Sequence, residues 1–131
     1  TSGTNSVAQH ATIAALLGDQ NPTEVFRQAF QKRRDLVLGM LNEIPNVKCN
    51  IPTGAFYVFP DLSAYFGKTY DGETIKDADD LCLFLLNVGH VASVSGSGFG
   101  APECIRFSYA ASEENLKEAF TRVKNALAKL I

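Results

Sequence analysis

One arginine interrupts an otherwise apolar strand pattern, Cys104-Ile105-Arg106-Phe107-Ser108-Tyr109. Side chains alternate across a strand, so Ile105, Phe107 and Tyr109 share one face, and Arg106 lies on the other between Cys104 and Ser108. A guanidinium so placed is costly without a partner. It either pairs with an acid such as Glu103 or lies on a solvated sheet face, or it forms a fork for a ligand carboxylate. The fork is open to arginine because its planar group binds carboxylates bidentately, which lysine cannot do.

Other chemistry-bearing residues have simpler readings. Gly96-Ser97-Gly98-Phe99-Gly100 lacks GxGxxG spacing and a P-loop lysine, and it leads to Pro102 and a strand, which argues against a phosphate cradle. The serines make no GxSxG elbow. His10 and His90 have no third ligand patterned nearby, so no metal site is expected. Lys32-Arg33-Arg34 reads as a solvated helix flank, and Asp77, Asp79 and Asp80 suit a helix N-terminus. Cys49, Cys82 and Cys104 are odd in number and lack CxxC spacing, which favours reduced core thiols of a cytoplasmic protein over disulfides or zinc.

The elements that position these residues belong to a chain of 131 residues, 46% hydrophobic and 20% charged, with net charge −2. That is ordinary globular usage for one domain. It leaves no basic footprint for nucleic acid, and no apolar run approaches the roughly 20 residues of a membrane-spanning helix. The chain opens Thr1-Ser2-Gly3-Thr4-Asn5 without methionine, and a segment of something longer is expected.

Val7, Ala11, Ala14, Ala15 and Leu17 mark a helix over about 6–17, stopped by Gly18. Asn21 as N-cap, Pro22 and a capping-box Glu24 open a second, ending at Pro45 and roughly 34 Å long. Strands are expected at 47–51 and 55–59, paired antiparallel through Pro52-Thr53-Gly54, with a loop over 60–76. Asp77 caps a helix with Ala78, Leu81, Cys82, Leu85 and Leu86 inward and Gly89 as its stop. Strands at 91–94 and 103–110 follow, then a helix opened by Ser112 with Leu116, Phe120, Val123, Leu127 and Leu130 inward. The order predicts an α+β fold, a two-layer sandwich of a small, largely antiparallel sheet covered by helices. Residues 1–44 form long N-terminal helices and 45–131 the small α+β domain, together one compact unit. An apolar strip along 6–44 should face outward.

Three motifs carry a family resemblance. Pro52-Thr53-Gly54-Ala55-Phe56-Tyr57-Val58-Phe59-Pro60 resembles the "PxGAFYxxP" strand of class I/II aminotransferases, the fold-type I, aspartate aminotransferase-like enzymes using pyridoxal phosphate. Val94-Ser95-Gly96-Ser97-Gly98-Phe99-Gly100 is similar to their "VxPGxxFG" loop, with Ser95 where proline is usual. Arg106-Phe107-Ser108-Tyr109-Ala110 with Ser112-Glu113-Glu114-Asn115-Leu116 resembles "RxSYAxSEENL". The resemblance implies the small C-terminal domain of a homodimeric transaminase acting on an amino acid and a 2-oxo acid. It implies that Arg106 binds the substrate α-carboxylate, with Gly54 and Phe56 near the substrate. Thr1 to Asn5 would lie near the dimer interface and the cofactor phosphate, Asn5 being the one residue here that could touch the cofactor. The cofactor lysine and the large domain would precede Thr1, since none of the seven lysines lies in such a motif. Without the resemblance, a stand-alone carboxylate-binding or regulatory module, or a non-binding assembly domain, would serve as well.

Overall fold

Asn5 starts the first helix because its side-chain oxygen accepts the Ala8 N–H at 2.8 Å, satisfying one of the orphan donors of a helix N-terminus. In this computed structural model, which describes residues 3–131, α1 runs Ser6–Leu17 and buries no residue. α2 follows at Asn21–Asn42, roughly 33 Å long. Asn21 is not its cap. Gln20 holds that position without a side-chain bond, and the Asp19 carboxylate takes the Asn21 N–H at 2.9 Å. No capping box forms either. Glu24 is held by Arg27 at 2.7 Å, and this bond pulls its pKa down to about 2.

Only the C-terminal half of α2 enters the core, through Val37, Leu38 and Leu41. Val7, Ile13, Leu16, Leu17, Val25 and Phe26 are all more than half exposed, so the apolar strip expected along the two N-terminal helices does face outward.

The sheet is small and fully antiparallel, in the order β1 (Tyr57–Val58), β5 (Ile105–Ser108), β4 (Val94–Ser95). Its inner face carries Val58, Ile105 and Phe107, and the Phe107 ring meets Phe120 of α4 (Glu113–Leu127) at 5.4 Å. Val94, Arg106, Tyr57 and Ser108 share the outer face, as the registers Val94↔Arg106 and Tyr57↔Ser108 require. α3 (Ala78–Gly89) packs beside α4 over the core, and Asp77 and Ser112 cap these two helices as expected.

Several local expectations are corrected. The 47–51 and 55–59 strands reduce to Tyr57–Val58 and one bridge, Lys48↔Asp61, because Pro52 lacks a donor and Ala55 sits at φ +59°, outside the strand region. The strand near 91–94 lies instead at Val94–Ser95. Within the expected 60–76 loop, β2 (Thr69–Tyr70) and β3 (Glu73–Thr74) form a hairpin about Asp71-Gly72, both at positive φ. Phe84, not Leu86, lies on the inward face of α3, where its ring meets Tyr70 at 5.3 Å. Gly89 is the last helical residue and His90 takes the left-handed cap. A Cβ at Gly89 would come within 3.3 Å of the Ala126 Cβ, so glycine here permits close packing of α3 on α4.

The three thiols are free and partly buried. Burial pushes each above the ordinary cysteine pKa, with Glu103 and Asp61 adding to the shift at Cys104 and Asp79 at Cys82. A raised pKa leaves less thiolate at any pH below it. Iodoacetamide labelling at pH 8 is therefore expected to be slower at all three than for free cysteine, and still rising above pH 9. Labelling as fast as free cysteine at pH 8 would contradict the burial.

Candidate functional site

Arg106 reaches the outer sheet face and is partly exposed. Its guanidinium carbon stands 4.4 Å from the Tyr57 ring centroid and 4.7 Å from that of Phe99. Two aromatic faces thus fix the cation, each contact worth about 0.5–2 kcal/mol. Among the described residues no carboxylate lies within ion-pair distance of the guanidinium, Glu103 included, and no side-chain hydrogen bond from it is formed. The ion-pair alternative is therefore not what the fold builds. The donors of a planar fork are held in place and left open.

The loop after β4 supplies the upper ring. Ser97–Phe99 is a single 3-10 turn, closed by the Phe99 N–H on the Gly96 carbonyl at 2.9 Å. Ser95, standing where the resembled motif has proline, accepts the Ser97 N–H through its hydroxyl at 3.2 Å. Phe59 meets Phe99 edge-on at 6.1 Å and supports it from below.

Gly54 and Phe56 lie apart from Arg106. They line a concavity of about 330 Å³ with Phe30, Arg34, Thr53 and Tyr109. The link is aromatic, since the Phe56 ring stands 4.4 Å from that of Tyr57, which in turn carries Arg106. A Cβ at Gly54 would meet nothing within 4 Å and its φ is not positive, so the chain's own packing does not demand glycine there. Asn5 is occupied as the α1 cap, at the other end of α2's sequence from the sheet. Thr1 and Ser2 lie outside the described residues.

Sequence reasoning gave no role to Tyr57 or Phe99, although both stand inside the quoted motifs. The usable signal was the strand register itself, which puts Tyr57 beside the arginine's face, and a phenylalanine in a glycine-rich loop that the core does not need.

Four of the seven lysines have partners or surroundings that bear on a pyridoxal phosphate site. Lys32 pairs with Glu113 and Lys124 with Glu43, each at 2.8 Å, and Lys68 donates to the Leu130 carbonyl at 3.3 Å. Lys76 borders a concavity that also holds Asp71, Glu73 and Asp80, an environment that repels a phosphate. These four lysines, paired with acids, bonded to a backbone carbonyl or set among carboxylates, do not fit the cofactor. Among the described residues no three His, Cys, Asp or Glu side chains cluster for a metal ion, and no helix is long and apolar enough to cross a membrane.

Comparison with known proteins joins these features to a family. The family model described as aminotransferase class I and II matches residues 1–123. The chain is 44% identical over 131 residues to an aspartate aminotransferase of Rhizobium meliloti (strain 1021), covering 99% of this chain and 32% of that protein. It is 45% identical to an aspartate/prephenate aminotransferase of Cereibacter sphaeroides, covering 99% and 33%. The crystal structure of the aspartate aminotransferase from Rhizobium meliloti superimposes with a TM-score of 0.93 at 42% identity, over 97% of this chain and 32% of that one. An alanine aminotransferase from Pyrococcus furiosus gives 0.83 at 32% identity, over 95% and 30%. The chain thus spans about a third of the length of these relatives. The α+β fold and the three motifs share one explanation: the chain belongs to the class I and II aminotransferase family.

Proposed function

We propose that this chain is the C-terminal small domain of a pyridoxal phosphate-dependent transaminase of the aspartate type, which moves an amino group between an amino acid and a 2-oxo acid. One observation carries the reading: Arg106, without an acid partner, is held between Tyr57 and Phe99 with its donors open. A carboxylate is the complement of that fork, and both substrates of a transaminase carry one. Arg106 binds the α-carboxylate and fixes the substrate's orientation, a proximity role that needs no proton transfer by the guanidinium. Gly54 and Phe56 border the substrate, where the space left open at Gly54 admits it. Asn5, whose side-chain oxygen caps α1, is the one residue of this chain that would lie near the cofactor phosphate.

Residues 1–44 are the arm through which the small domain of 45–131 joins a large cofactor-bearing domain and a second subunit. The outward apolar side chains of α1 and the first half of α2 support that, since monomers seldom leave such a strip uncovered. The cofactor is held by that large domain, and the present residues bind and orient the substrate.

The test is amino transfer by the full-length protein, with aspartate and 2-oxoglutarate as the first pair. Exchange is expected. Failure with every amino acid and 2-oxo acid pair, together with carboxylate binding by the 131-residue chain, would favour a stand-alone binding module. The 131-residue chain alone is expected to be inactive and to acquire no lysine label when cofactor is added and trapped with borohydride. Peptide mapping that finds one lysine modified one-to-one would overturn this.

A further inference from the structure

The segment Pro52–Phe56, which carries Gly54 and Phe56, is a strap with almost no bonds of its own. The amides of Thr53, Gly54 and Ala55 make no hydrogen bond among the described residues, and all three residues are exposed. Ala55 nevertheless holds φ +59°, a conformation that persists in a non-glycine residue only when its surroundings impose it. Tyr109 and Arg34 hold the strap at its two ends. Tyr109 donates its hydroxyl to the Ala55 carbonyl at 3.0 Å and its N–H to the Phe56 carbonyl at 2.8 Å. At the other end Arg34, on α2, donates Nη1 to the Pro52 carbonyl at 3.2 Å.

Asp35 determines how Arg34 does this. Adjacent residues on a helix point away from each other, yet Nε and Nη2 of Arg34 reach Asp35 Oδ1 at 2.8 and 2.7 Å. The guanidinium is therefore folded back along the helix, with its remaining nitrogen turned to the strap. A planar fork can hold both partners at once, whereas a lysine ammonium on a flexible stem cannot do so with the same geometry. The Arg34 side chain is only 22% exposed, so this is a partly desolvated bond and not a loose surface contact.

We propose that Arg34, oriented by Asp35, is a positioning residue for substrate binding, fixing the strap and through it the Phe56 ring that lies against Tyr57, over which Arg106 stands. The path is contiguous: Pro52 is tied to α2, Phe56 lies 4.4 Å from Tyr57, and Tyr57 lies 4.4 Å from the Arg106 guanidinium carbon. The inference rests on the reading of Arg106 as carboxylate anchor.

The experiment uses the full-length transaminase carrying Arg34→Met, Arg34→Lys or Asp35→Asn. Arg34→Met is expected to raise KM for the amino acid roughly 3- to 30-fold, the span typical of residues that act through a packed neighbour, with kcat within about twofold of wild type. Arg34→Lys should recover part of the loss, and Asp35→Asn should fall between. Unchanged KM for Arg34→Met would overturn the proposal, and so would a lowered Tm with unchanged KM in the folded fraction. A readout free of turnover is chymotryptic nicking after Phe56, followed by mass spectrometry, which should be faster in Arg34→Met than in wild type. If the wild-type protein transfers no amino group, the function reading fails instead. The clamp is then decided by nicking, where faster cleavage supports it and an unchanged rate overturns it.

Discussion

On the proposed transaminase reading, Arg106→Ala in the full-length protein is expected to lower kcat/KM by roughly two to four orders of magnitude. The magnitude follows from the bond removed. A bidentate guanidinium–carboxylate pair in a closed, partly dry site costs about 3–5 kcal/mol when one partner is deleted, and about 1.4 kcal/mol is a factor of ten. Arg106→Lys should restore only part of the activity, because an ammonium keeps the charge and loses the fork. The folded protein should be affected far less. Arg106 has no ion pair to lose, only its two aromatic contacts, worth about 1–2 kcal/mol together after allowance for exposure. A purely structural arginine predicts the reverse, a clear drop in Tm with kcat/KM of the folded fraction intact. Kinetics and melting on one variant separate the two, and an unchanged kcat/KM would end the anchor reading.

How far the sequence reached depends on the range over which each feature is determined. Asp77, Ser112 and the apolar positions of α4 were legible because a cap and a 3.6-residue period are local properties. The isolation of Arg106 was legible because alternation within one strand is local too. Where positions are settled by distant partners, the reading slipped. Phe84 displaces Leu86 from the inward face of α3 because Tyr70, fourteen residues upstream, supplies a ring for it to pack on. The hairpin at 69–74 had its Asp71-Gly72 signal, yet its strands are two residues each and leave no periodicity to detect.

The candidate site shows the same division. The arginine was visible, but the sandwich that holds it joins residues 57, 99 and 106 from three separate segments. Arg34 illustrates the limit most clearly, since a basic run in mid-helix is a solvated flank by default. Only the tertiary approach of Pro52 turns one member of it into a structural tie. The proposed carboxylate role of Arg106 comes from the family resemblance and not from the strand pattern. The structure supplies the geometric reason an arginine can wait there uncompensated.

Gly96→Ala is expected to be strongly destabilising, because Gly96 is the most tightly enclosed of the described glycines. Gly96 is buried at the junction of β4 and the turn that carries Phe99, and its N–H donates to the Cys104 carbonyl at 2.8 Å. A Cβ there would fall on the Ala101 carbonyl oxygen, 2.6 Å from the Cys104 carbonyl oxygen and 2.9 Å from Phe59 Cζ. Phe59 could swing aside, but the two carbonyls belong to the backbone that closes the loop, through Ala101 N–H on Gly96 O and Cys104 N–H on Ala101 O. The turn must therefore open. Overpacking of this kind costs about 1–3 kcal/mol, and the lost hydrogen bond adds about 1 kcal/mol, so about 3 kcal/mol is expected. For a unit of 131 residues that corresponds to a fall in Tm of roughly 10 °C. Because the displaced turn carries the ring above Arg106, KM should rise as well. A second change, Phe59→Leu, should not rescue the variant, since it relieves only the side-chain clash. Calorimetry on Gly96→Ala that finds Tm within about 2 °C of wild type would show that the loop can relax, and the close approach at Gly96 would then not be what aims Phe99 at the arginine.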